Sequence, residues 1–91
     1  SEAEAKRLLR EEGFSRVYAW EDSPNAQHAP HTHSTETAHV VLQGSIWVKV
    51  DGEEAWYSKG DRFDVPANTQ HEAKAGPSGC KYLIGENKTT G

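Results

Sequence analysis

From Ser15 onward the chain is written in short β-branched and aromatic runs, each cut within a few residues by Gly, Asp or Pro. The sharpest cut is Asp51-Gly52, between "SIWVKV" and "EEAWY". A two-residue type I′ turn needs positive φ at both central positions, which Asp-Gly supplies at low cost, so the two runs are expected to pair as a hairpin. Before the turn, Ile46, Val48 and Val50 share one face of an extended chain, and Trp47 and Lys49 the other. In "SKGDRFDVP" a further turn is expected at Gly60-Asp61, followed by a short strand that Pro66 ends. "HEAKA" and "CKYLIG" read as two more strands separated by "GPSG". Strands this short and this closely spaced predict an all-β barrel or sandwich.

The first residues follow a different rule. In "SEAEAKRLLREEGF", Ser1 and Glu4 have the spacing of a capping box, and Gly13 is a plausible stop. A helix is expected over residues 2–12. It is too short to hold in water by itself, so it is expected to dock through Leu8, Leu9 and Phe14. Residues 1–13 would form this helix and residues 14–91 the barrel, one domain in all. A domain of this size buries a modest core, and a bound metal or a second subunit would help it. The polar tail "ENKTTG" is expected to fray.

Charge and composition exclude some partners. The net charge is −4 and Lys and Arg form no basic patch, which argues against a nucleic-acid partner. No apolar run has the length of a membrane span, and no signal-peptide pattern opens the chain. Cys80 is the single cysteine, so no internal disulfide can form and a cytoplasmic location is expected. Within "CKYLI" it reads as a small buried strand residue and not as a reactive thiol. Trp20, Trp47 and Trp56 are expected in a core or a subunit interface, which favours a homodimer.

Four of the five histidines fall within "HAPHTHSTETAH", residues 28–39, and His71 stands apart. His31 and His33 are two apart, which on an extended chain puts both imidazoles on one face, where they can share a metal ion. Neutral imidazole is the commonest protein metal ligand. His28 lies off that face and is expected outside the site, on the approach to it.

"HTHSTETAHVVLQG" followed by "GDRFDVPANTQH" resembles the two motifs of the cupin superfamily. His31, His33 and Gly44 match the first motif; Gly60, Pro66 and His71 match the second. The resemblance implies a small antiparallel double-stranded β-helix, a jelly-roll barrel, with a short N-terminal helix. It also implies one divalent transition metal ion inside, with Fe, Mn, Ni, Cu and Zn all open. The family's glutamate falls at Thr37, which is a poor ligand. His39 is in phase with that position. Glu36 is acidic but points outward unless a bulge shifts the register. The expected metal residues are therefore His31, His33, His39 and His71, with Glu36 or water as the alternative fourth contact. Asn68 stands where the second motif has Gly, and tolerates the same left-handed backbone.

Such a centre fits a metal-dependent enzyme acting on a small molecule, of oxygenase or isomerase type, with the substrate unknown. A non-catalytic cupin that binds a small molecule or a metal is the alternative. A purely structural metal is less favoured, since fully closed structural sites commonly include cysteine ligands.

Overall fold

A computed structural model of the chain describes residues 1–87. One helix, α1 (Glu2–Glu11), precedes the strands β1 (Arg16–Asp22), β2 (Gln27–His31), β3 (Thr37–Val50), β4 (Glu53–Ser58), β5 (Arg62–Val65) and β6 (His71–Glu86). Among the described residues no helix is long and apolar enough to cross a membrane.

The two long strands form the frame. β3 and β6 pair antiparallel from Thr37↔Glu86 to Val50↔His71. The first half of β3 also pairs with β5 and its second half with β4. The first half of β6 pairs with β2 and its second half with β1. Neighbours therefore change midway along both strands, and there the ladder is broken by register shifts at Val41/Gln43 and Gly44/Ile46. Such irregularities bend a strand and let a sheet curl on itself.

The segment "GPSG" lies at this bend. Gly44 pairs with Cys80 and Ile46 with Ala75, so Ser45 alone opposes Gly76, Pro77, Ser78 and Gly79. "HEAKA" and "CKYLIG" are thus one strand, not the two expected. The excess chain leaves the ladder at the bend, where Pro77 needs no N–H partner. Close approach of backbone makes glycine necessary at two positions around this bend. A Cβ on Gly44 would lie 2.1 Å from the Gly79 carbonyl oxygen, and one on Gly79 2.6 Å from the Asp22 carbonyl oxygen.

Two apolar clusters lie on opposite faces of the sheet. Val41, Ile46, Val48, Phe63, Val65, Ala75, Cys80 and Tyr82 fill one. Leu9, Phe14, Ala38 and Leu83 form the other, under α1. The alternation of Tyr82 with Leu83 between the clusters is the period-two rule at work. The Asp51-Gly52 hairpin forms as expected, with φ of 49° and 84°.

The helix also forms as expected, with Ser1 Oγ accepting the Glu4 N–H at 3.2 Å and Gly13 at φ 106°. Its docking differs in one residue. Leu9 and Phe14 are buried, while Leu8 is 47% exposed. Adjacent helical residues sit about 100° apart around the axis, and the face that carries Ala5 and Leu9 turns Leu8 outward. Of the expected polar tail, Glu86 belongs to β6, and the Asn87 side chain accepts the Ser15 N–H at 2.8 Å. Residues 88–91, where fraying was also expected, lie outside the described residues.

Candidate metal centre

Strand pairing assembles the site. His31 ends β2, His71 begins β6, and the register sets them side by side. His33 follows in the loop, where its carbonyl accepts the Asn68 N–H at 2.7 Å. Asn68 takes the left-handed backbone, φ 58°. One ring nitrogen from each of His31, His33 and His71 lies within 4.8 Å of the other two. Their ring centroids are 4.2–5.0 Å apart. Direct β2–β6 pairing brings His71 to the pair.

The hydrogen bonds behind the rings suit ligation. His71 Nδ1 lies 3.0 Å from the Thr69 carbonyl oxygen, and His31 Nδ1 faces the Ala29 carbonyl. A carbonyl only accepts, so each Nδ1 carries the proton and each Nε2 keeps a free lone pair. Burial lowers the pKa of His71, and the neighbouring His31 and His33 lower it further. That favours the neutral form, the one that binds metal. Three neutral imidazoles at this spacing fit a divalent transition metal.

Of the remaining expected residues, His39 lines the same cavity without joining the cluster, and Glu36 lies outside it. His39, on β3, is not part of the three-nitrogen cluster. It stacks on Phe63, centroids 4.4 Å apart and planes within 8°. Its Nδ1 is buried with no hydrogen-bond partner among the described residues. Burial pushes its pKa down to about 4. Glu36 is exposed, just before β3, while Thr37 is buried. None of the three tryptophans is buried in a core: Trp20 is 48% and Trp56 59% exposed, and Trp47 is intermediate.

The three histidines border a cavity of ≈ 270 Å³, with Ile46, Val48, Phe63 and Val65 as apolar lining. His28, outside the three-nitrogen cluster, also lines the cavity, as do Trp20 and Tyr82. These three share one acceptor that the sequence reading missed. The buried Asp22 carboxylate accepts from Trp20 Nε1 and Tyr82 Oη at 2.9 Å each, and lies 2.9 Å from His28 Nε2. The available sequence signal was weak: Trp20 and Asp22 share a face of β1. Burial raises the Tyr82 pKa, and Asp22 raises it further. Cys80 is pushed up to about 11, first by burial and then by Asp22. It is thus an inert thiol at neutral pH, as the sequence implied.

Two predictions follow from these buried polar groups. Asp22→Ala leaves the Tyr82 hydroxyl and Trp20 N–H without their acceptor. At about 1–3 kcal/mol for a stranded buried donor, a loss of about 3 kcal/mol is expected in urea unfolding. His39 gives a pH dependence. Above about pH 6.5 both folded and unfolded chains hold it neutral. Below that the unfolded chain takes up a proton that the folded chain refuses until about pH 4. Stability of the metal-free protein therefore falls with acidification across this window, by about 1.4 kcal/mol per unit and about 3 kcal/mol in all. His71 acts in the same direction. In His39→Leu the urea midpoint at pH 8 is expected to be equal or higher, and its decline below pH 6.5 shallower.

Residues 19–84 match the family described as the cupin domain, and the chain belongs to the cupin family. The dimethylsulfoniopropionate lyase DddW of Ruegeria pomeroyi is 31% identical over 65 residues, covering 71% of this chain and 43% of the lyase. This chain thus matches less than half the length of that relative. Among solved structures, KdgF from a Halomonas species has a TM-score of 0.70 at 27% identity, over 80% of this chain and 68% of that one. An RmlC-like cupin from Shewanella frigidimarina NCIMB 400 has a TM-score of 0.74 at 25% identity, over 80% of this chain and 65% of that one. The all-β cupin fold is the fold of this protein.

Proposed function

We propose that this chain is a metal-dependent cupin enzyme acting on a small organic acid or carbonyl compound. One divalent ion would be held by His31, His33 and His71. The observation that carries the reading is their convergence within 4.8 Å at the edge of a cavity large enough for a small molecule. When bound, the ion supplies a Lewis acid or redox centre for a carboxylate or carbonyl oxygen. The protein's own part is positional. Ala29 and Thr69 hold the imidazoles in the metal-binding tautomer, and Ile46, Val48 and Val65 present a water-excluding wall. Asp22 fixes the orientation of His28 and Tyr82, two cavity-lining groups that can carry a proton. The likeness to a dimethylsulfoniopropionate lyase supports a small carboxylate as substrate.

A non-catalytic binding role is the second reading. It is favoured by the pairing of Asp22 with three donors, which leaves that buried carboxylate engaged. The reading includes a homodimer, supported by the exposed Trp20 and Trp56. The test is to load the protein in turn with Fe, Mn, Ni, Cu and Zn. Each form is incubated with a panel of small acids including dimethylsulfoniopropionate, with substrate loss followed by NMR and oxygen by electrode. Turnover that vanishes in a His31→Ala/His33→Ala protein is the expected result. Saturable binding without turnover for every metal would favour the second reading.

A further inference from the structure

We propose that Glu86 supplies the carboxylate of the metal centre, delivered from β6 and not from β3. The proposal rests on the metal-binding reading above. Three neutral imidazoles leave both charges of a divalent ion uncompensated, and an anionic oxygen donor is what the set lacks.

Three observations point to Glu86. It is the one carboxylate among the described residues that line the cavity. It lies directly opposite Thr37 in the β3–β6 register. Cross-strand partners project from the same face of a sheet, and Thr37 and Glu86 line the same cavity beside His33. Glu86 therefore occupies the wall on which position 37 carries no acid. Its present attachments are also loose. Tyr18 Oη donates to Oε2 at 3.4 Å, and Arg16, itself 63% exposed, sits 3.2 Å from Oε1. An ion pair with so exposed a partner contributes little. The carboxylate stands outside the three-nitrogen cluster, so it must turn about its side-chain torsions and release Arg16 to reach the ion.

The alternatives are less well placed. Glu36 is exposed before the strand begins. His39 is clamped against Phe63, and Asp22 is already committed to Trp20, His28 and Tyr82.

The test uses metal alone. Apo wild type, Glu86→Gln and Glu86→Gln/Thr37→Glu are titrated with Zn²⁺ by calorimetry and with Co²⁺ by visible absorption, and each apo protein is melted. Loss of a group that tunes a metal site typically lowers affinity 10–100-fold, so Glu86→Gln is expected to bind about tenfold or more weakly. Its Co²⁺ spectrum should shift and its apo melting temperature hold. The double variant, with its acid on the opposite strand, is expected to recover affinity. Wild-type affinity and an unchanged spectrum in Glu86→Gln would overturn the proposal. So would an affinity loss matched by a fall in apo stability that Thr37→Glu does not rescue. A wild type that binds neither ion would defeat the metal reading itself, and the proposal with it.

Discussion

In a His31→Ala/His33→Ala protein, stoichiometric metal binding is expected to disappear, together with the stabilisation that metal confers. A ligand that binds only the folded state stabilises by RT ln(1 + [L]/Kd), about 4 kcal/mol at a thousandfold excess over Kd. In a domain of this size each kcal/mol moves the melting temperature by about 4–8 °C. Wild type should therefore melt roughly 15 °C or more higher with saturating metal than without it. The double variant should show no metal-dependent rise. His33 is exposed and His31 only partly buried, so the apo proteins should melt within a few degrees of each other. Calorimetry with and without metal checks both parts.

The second large effect is expected at Gly44. Its φ of 77° is one that L side chains rarely adopt, and its added Cβ would lie 2.1 Å from Gly79 O, 3.0 Å from Gly79 C and 3.1 Å from Cys80 Cα. All three are backbone atoms and cannot swing aside as a side-chain tip can. The left-handed conformation costs about 1–3 kcal/mol, and forced separation of β3 and β6 adds a similar overpacking penalty. Gly44→Ala is expected to lose about 4 kcal/mol, a large share of the whole stability of a small domain. Gly13 separates the two contributions. It too has positive φ, 106°, but nothing lies within 4 Å of its added Cβ. Gly13→Ala should lose only the conformational part, about 1–3 kcal/mol. Near-equal urea midpoints for the two variants would contradict a steric role for Gly44.

Local chemistry was legible in the residues. Asp51-Gly52 needs only its own two φ values to turn the chain, and Ser1 caps a helix three residues away. The His31–His33 pair was legible for the same reason, and His71 entered through its place in the second motif. What escaped depends on register between distant segments. "GPSG" reads as a break because Gly and Pro punctuate strands, yet here it is excess chain accommodated within one strand opposite Ser45. The companion residues of the cavity escaped likewise. Asp22 matters because Tyr82 lies 60 positions away, and Glu86 because it pairs with Thr37. Leu8 was misplaced because an apolar stretch of a short helix does not reveal which residue its partner surface admits.

Metal per chain, by elemental analysis of the purified protein and again after reloading the apo form, tests the central claim most directly. One transition-metal ion per chain, absent from the His31→Ala/His33→Ala protein, is the predicted result. A wild type that takes up no metal after reloading, or a double variant that keeps its full complement, would contradict the assignment of the centre to His31, His33 and His71.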